Sequence, residues 1–309
     1  MLGDIATAAQ RTLRNAVGCT GIGLHSGRKV ELTLLPAAPG TGIVFRRSDA
    51  DAEIAARWAN TIESSLCTTL SNGEGIAIGT VEHLMAALAG AAIDNAVVEI
   101  DGPEVPIMDG SAAPFLQLIE RVGSVEQDLV RRAVKVLKPV EIEDGGGSAA
   151  LYPDHGFSIS FAIDFANPLI RRQELSLGID AESFKAELSR ARTFGLLDDV
   201  DRLRAAGLAR GGSLDNAVVV SGTQVLNVGG LRYADEFVRH KLLDALGDLY
   251  LAGGPIIGHF RGVCSGHAHN RRLLAALFAD ADAWCWTNLS RPAPLPHLSL
   301  PQEPLAALA

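Results

Sequence analysis

The segment Arg239 to Asp248 constrains this chain more than any other. His240, Asp244 and Asp248 recur at i, i+4 and i+8, which on a helix sets an imidazole and two carboxylates along one face. Leu242, Leu243, Leu246, Leu249 and Tyr250 cover much of the remaining surface. Such an apolar helix is predicted to be mostly buried, and buried carboxylates are costly unless something positive holds them. Either the stripe is solvated on that side, or it holds a divalent metal. A His and an Asp one turn apart form a two-ligand clamp for zinc, and a tetrahedral site then needs donors from elsewhere in the chain.

The segment Thr80 to Gly90 offers such donors. Thr80 reads as an N-cap. Leu84, Met85, Ala87 and Leu88 read as a short buried helix, and Gly90 as its stop. Glu82 and His83 open this helix. They are either surface residues, with Glu82 favoured by the helix dipole, or a metal-binding His beside a carboxylate base. The zincin pattern His-Glu-x-x-His is absent, because Ala87 stands where the second His belongs. A metal on His83 would take further ligands from a distant helix, and His240 and Asp244 offer them. A third segment runs from Gly258 to Asn270, with a small-residue turn ahead of a helix predicted to start near Asn270. Ser265-Gly266 lets the backbone turn sharply and present His267 to a cleft. The alternative is a capping turn with incidental histidines. His259 and His269 read as structural or surface residues.

A net charge of -9 argues against a nucleic-acid binder. The four cysteines, Cys19, Cys67, Cys264 and Cys285, form no Cys-x-x-Cys pair, which fits reduced thiols in a cytoplasm better than a disulfide framework. Asp4 comes early and no long apolar core follows, so no signal peptide is expected. No run reaches about eighteen apolar residues, so no membrane span is expected. Even 76–100 is broken by Glu82, His83, Asp94 and Asn95.

A chain of 309 residues accommodates two ordinary domains, and a faint repeat divides it. Residues 29–35 alternate like a strand, turn at 36–42 and return at 43–46. Residues 148–152 turn at Pro153-Asp154 and return at 157–163. Each half then carries a helix, 82–89 or 236–251, followed by a strand, 95–100 or 255–260. The expected class is α+β, with two similar two-layer sandwiches. The join is placed in the polar, glycine-containing stretch 123–128, giving domains 1–126 and 127–309.

Collinear stretches of the chain resemble the UDP-3-O-acyl-N-acetylglucosamine deacetylase family, zinc enzymes of lipid A biosynthesis in Gram-negative bacteria. They are GIGLHSG (21–27), LCTT (66–69), TVEHLMAAL (80–88), DGPEVPIMDGS (101–111), ARTFG (191–195), GGSLDN (211–216), DEFVRHK (235–241) and SGHA (265–268). No one of them is decisive, but their order is highly specific. The resemblance covers roughly 10–279, and the last thirty residues carry no usable signal. Where the family commonly has Leu, two residues after His267, this chain has His269.

The resemblance implies two βααβ domains facing each other with the active site between them. It implies zinc on His83, His240 and Asp244 with a fourth position open for water, as catalytic zinc sites have. Iron(II) also suits His and carboxylate ligands. Glu82 would be the general base and His267 the cationic partner of the oxyanion or the amine. Asp248 would orient His267, Thr193 would donate to the oxyanion, and Lys241 would meet the sugar or diphosphate. The reaction implied is hydrolysis of the N-acetyl group of a UDP-linked acylated glucosamine, by a cytoplasmic enzyme expected to be a monomer.

Residues 196–209 read as an amphipathic helix, which ordinarily packs on a core. The resemblance instead makes the insert around 194–215 an acyl passage, with Phe194 at its entrance and Leu196, Leu197, Val200, Leu203 and Leu208 along it. Cys67 is either an extra ligand to an open metal site or inert. Two other readings stay open: a nucleotide-sugar-binding protein with a structural zinc, and a zinc amidase acting on another acylated sugar. Glu82, Thr193 and His267 together favour the hydrolase over the first, since a structural site would close its fourth position with another Cys or His.

Overall fold

The computed structural model describes residues 7–64 and 66–290. The segment around Asp4 and the outer ends of both expected domains lie outside these residues. The described chain is a mixed α and β structure with several sheets and six α-helices.

Alternation builds the sheets. Along Lys29–Pro36, Val30, Leu32 and Leu34 are fully buried while their neighbours face outward, as a period of two requires. One sheet has the order Val17–Ile22, Lys29–Pro36, Ala96–Ile100, Ile43–Arg47, Ala52–Ala55. The other contains the run Val140–Asp144, Gly147–Tyr152, Ile256–Val263, Phe157–Asp164, Arg172–Gly178. Its seven strands are completed by Arg132–Val136 and Trp284–Asn288. The two runs share strand order and strand sense. In each, the late strand is antiparallel to its neighbour on one side and parallel to that on the other.

This arrangement keeps the predicted reversals but inserts a strand within each. Lys29–Pro36 and Ile43–Arg47 run in opposite directions, as the turn residues imply, yet they do not pair. Ala96–Ile100 lies between them, and Ile256–Val263 likewise separates Gly147–Tyr152 from Phe157–Asp164. Local turn chemistry encodes the reversal of the chain, while burial of Val98 and Ile100 decides what fills the gap. The stretch read as a join is itself structured. Gly123, at φ 73°, ends the helix Ala113–Val122. Ser124–Val130 is then a strand antiparallel to Ala9–Leu13.

Helix Glu82–Gly90 precedes the late strand of one sheet, and helix Glu236–Tyr250 precedes that of the other. These two helices pack on each other, and Gly247 sets how closely. A Cβ at Gly247 would lie 2.0 Å from the Glu82 carbonyl oxygen and 3.1 Å from the Ala86 nitrogen. Gly247→Ala therefore tests the crossing. In a free helix this change is favourable by roughly 1 kcal/mol. Here overpacking should outweigh that by about 1–3 kcal/mol, lowering Tm and weakening metal binding together. A calorimetric scan with a metal titration checks both, and a raised Tm would refute the close crossing.

Two helix starts differ from the sequence reading. Val81, not Thr80, is the N-cap of Glu82–Gly90, and Gly90 is inside the helix. Thr80 sits at φ 57° and its hydroxyl donates to Glu104 Oε1 at 3.0 Å. The tertiary bond to Glu104 takes the hydroxyl that would otherwise cap. The third helix, His267–Ala279, begins at His267 and not near Asn270. The extended Gly266 is the N-cap, and its N–H donates to His269 Nδ1 at 3.3 Å.

Candidate active site

The solvated reading of the polar stripe does not survive folding. Glu82, His83, His240, Asp244 and Asp248 are all buried, the most exposed at 4%. The helix crossing brings His83 from one helix to His240 and Asp244 from the other. One ligand atom from each of the three lies within 4.8 Å of the others. Asp244 Oδ1 stands 3.5 Å from His83 Nε2 and 3.3 Å from His240 Nε2. A tetrahedral zinc with bonds of about 2.0–2.1 Å has ligand–ligand edges of about 3.3 Å. Asp244 Oδ1 is also buried without a hydrogen-bond partner among the described residues. An orphaned carboxylate oxygen facing two imidazole nitrogens is costly by itself and fits a cation, so the residues present suit a divalent metal.

The neighbours tune these donors. His240 Nδ1 donates to the Ala191 carbonyl at 3.1 Å, leaving Nε2 as the donor atom toward a metal. Burial, with help from His83 and Lys241, drives the His240 pKa down to about 4 against the opposing pull of Asp244. Burial disfavours ionised Asp244, but His240 and Lys241 outweigh it and hold its pKa well below the usual range. Lys241 Nζ donates to Asp244 Oδ2 at 2.8 Å. Asp244 thus offers one oxygen to Lys241 and the other to the two imidazoles.

Glu82 and His267 lie beside this group. Burial raises the Glu82 pKa, against the opposing pull of His267 and His83. Its Oε1 is 3.8 Å from His267 Nε2. His267 Nδ1 donates to Asp248 Oδ2 at 2.8 Å. Burial opposes the charged imidazole, but Asp248 and Glu82 outweigh it and lift the pKa to about 9. Thr68, which sequence reasoning left without a role, ties these groups together. Its N–H donates to Glu82 Oε2 at 3.0 Å and its hydroxyl to Asp248 Oδ1 at 2.5 Å. The available signal was its place in the LCTT stretch. Asn270, also missed, donates to Asp248 Oδ2 at 2.8 Å.

These residues open onto a cleft of about 440 Å³. Its walls include Glu82, His83, Thr193, Phe194, Leu196, His240, Lys241, Asp244 and His267, and also His25, Phe165 and Ser265. A cleft of about 500 Å³ near Arg57, Asp94 and Trp286 is larger, yet holds none of the site residues expected from the sequence. The chemistry therefore marks the site better than size does. Phe194 makes edge contacts with Phe165 and Phe237, at centroid distances of 5.6 and 5.0 Å. Leu197, Val200, Leu203 and Leu208 are outside this cleft wall. The helix Leu197–Ala205 contains no buried residue, so it does not pack as a core helix does. Cys67 is buried but is not in the ligand group, and burial raises its thiol pKa. His259 bonds Ser158 at 2.7 Å and His269 bonds the Asp144 carbonyl at 3.0 Å, both away from the cleft.

Sequence comparison shows the family. The UDP-3-O-acyl N-acetylglycosamine deacetylase family matches residues 10–279. The UDP-3-O-acyl-N-acetylglucosamine deacetylase of Vibrio parahaemolyticus is 50% identical over 283 residues, spanning 90% of this chain and 93% of its own. That of Pseudomonas entomophila is 53% identical over 279 residues, spanning 89% of this chain and 92% of its own. With a family match over residues 10–279 and about half-identity over about 90% of the chain, the chain belongs to the UDP-3-O-acyl N-acetylglycosamine deacetylase family.

Proposed function

We propose that this chain hydrolyses the acetamide of UDP-3-O-acyl-N-acetylglucosamine to the free amine and acetate, with His83, His240 and Asp244 as metal ligands and Glu82 as general base. The observation that carries the site is the convergence of two imidazole nitrogens and an orphaned Asp244 oxygen beside a buried Glu82, in one cleft. Zinc, or iron(II) on the same donors, supplies Lewis acidity toward water and the amide carbonyl.

The chain's own groups do the rest. Glu82 takes the proton of the attacking water. His267, kept protonated by Asp248, stabilises the oxyanion or protonates the departing amine. Asp248 in turn is held by Thr68 and Asn270, which fixes the imidazole's direction. The Thr193 hydroxyl donates to the oxyanion. Lys241 is the one Lys or Arg on the described cleft wall, and it faces the sugar or diphosphate. The shared strand order of the two sheets supports two similar βααβ sandwich domains, 1–126 and 127–309, that face each other. One chain holds every group of the site, which fits a monomer, and a nucleotide-linked substrate fits the cytoplasm. No helix of the described residues is long and apolar enough to cross a membrane.

Leu197, Val200 and Leu203 are only partly buried, so the helix carrying them keeps some apolar surface for a lipid chain. The acyl passage runs from Phe194 and Leu196 along this helix and Leu208. Each buried methylene contributes about 0.8 kcal/mol. Val200→Glu or Leu203→Glu should thus lower kcat/KM for the long-chain UDP-linked substrate by roughly ten- to a hundredfold more than for a short-chain analogue. Equal loss on both substrates with a fallen Tm would return the helix to a packing role. Failure of the parent chain to release acetate from the UDP-linked substrate would reject the function itself.

A further inference from the structure

Ala191 and Thr193, on either side of Arg192, each reach the site. The Ala191 carbonyl accepts from His240 Nδ1. The side chain of Thr193 lines the cleft. Between them, Arg192 makes a buried ion pair with Glu236. Arg192 Nε donates to Glu236 Oε1 at 2.8 Å, its Nη2 to Oε2 at 3.0 Å, and its backbone N–H to Oε1 at 3.0 Å. The same Nη2 reaches the Gly230 carbonyl at 2.7 Å, and the Arg232 N–H donates to Glu236 Oε2 at 2.6 Å. Glu236 is 0% exposed and opens the helix one turn before His240.

Two charges are expensive to bury, and a pair is retained at low net cost only when its remaining lone pairs and protons are satisfied. Here both Glu236 oxygens receive two donors each. The pair joins the segment 191–193 to the first turn of the metal-site helix, four residues from His240. A displacement of this segment moves the Ala191 carbonyl off His240 Nδ1 and the Thr193 hydroxyl within the cleft at the same time. Geometry of that kind needs a planar fork, since a guanidinium meets both carboxylate oxygens and a lysine ammonium does not.

We infer that the Arg192–Glu236 pair is a positioning device that sets the ring of His240 and the hydroxyl of Thr193 together. The inference rests on the metal and oxyanion roles proposed above. Groups that orient a metal-binding His typically change affinity or activity by about ten- to a hundredfold when altered.

The test uses Arg192→Lys, which keeps the buried charge but not the fork. Cobalt(II) is the probe, because its absorption reports the geometry of the site directly. Arg192→Lys should bind cobalt(II) about ten- to a hundredfold more weakly than the parent, with an altered absorption band. Its kcat should fall at least about tenfold while KM stays within about threefold, as for loss of a transition-state interaction. The double variant Arg192→Gln/Glu236→Gln removes both buried charges, and so remains informative should a single change unfold the chain. It should show the same weakened cobalt(II) binding. Cobalt(II) affinity, spectrum and kcat equal to the parent in Arg192→Lys, with only a lower Tm, would overturn the positioning role alone. Parent protein whose cobalt(II) affinity is unchanged by His83→Ala would instead overturn the metal reading, and this inference with it.

Discussion

Replacing any one of His83, His240 or Asp244 by Ala should lower bound zinc and remove turnover in the same protein. The three donors come from two helices that meet only in the folded chain, so no pair of them makes a complete site. A tetrahedral centre holds three protein ligands and one exchangeable position. With two ligands left, affinity should fall by more than the roughly ten- to hundredfold typical of altering an outer group. Chelation of the parent should remove the same activity, and added zinc should restore it. Metal analysis beside an acetate-release assay reads both quantities. Stoichiometric zinc with near-normal turnover in His83→Ala would exclude this ligand set. For Asp244→Ala a second consequence follows. Lys241 loses the carboxylate that its ammonium contacts at 2.8 Å, so binding of the UDP-linked substrate should change as well.

Glu82→Ala should separate metal from chemistry. Glu82 Oε2 accepts from the Thr68 N–H, and Oε1 faces His267, so neither oxygen belongs to the ligand triangle. Zinc should stay bound while turnover falls by about a hundredfold to ten-thousandfold, the range for loss of a general base. Removing the side chain also leaves the buried Thr68 N–H without its acceptor, which costs stability. Glu82→Gln keeps an acceptor for that N–H and should lose turnover to the same degree. Zinc leaving with Glu82 would make it a ligand and defeat the base assignment. A Glu82→Gln enzyme with full turnover would have the same effect.

Much of this site was legible in short segments. The i, i+4, i+8 recurrence of His240, Asp244 and Asp248 is a local property of a helix, and so is their setting among leucines. Glu82 and His83 were legible as polar residues opening an apolar helix. Apart from the resemblance carried by LCTT, Thr68 was not legible from its own surroundings. Its partners Glu82, Asp248 and His267 are distant in sequence, and a threonine beside a cysteine carries no pattern of its own. The Arg192–Glu236 pair was invisible for the same reason. Arg192 reads as one more charged residue until folding buries it.

The sheets divide along similar lines. Alternation of Val30, Leu32 and Leu34 determined a strand and its buried face. Pro36 to Gly42 determined that the chain reverses. Neither contains the identity of the neighbouring strand, which is set by long-range burial of Val98 and Ile100. The sequence by itself therefore determined the two crossing helices, the strands that flank the two chain reversals and, through its collinear motifs, the family. Only the tertiary structure decided that the polar stripe is buried, and that His83 meets His240 and Asp244 across a crossing permitted by Gly247. It also decided that the Leu197–Ala205 helix packs no residue into the core. The physical reason is range. Backbone periodicity and turn chemistry act over a few residues, whereas burial, charge pairing and helix approach depend on atoms that the chain brings together only by folding.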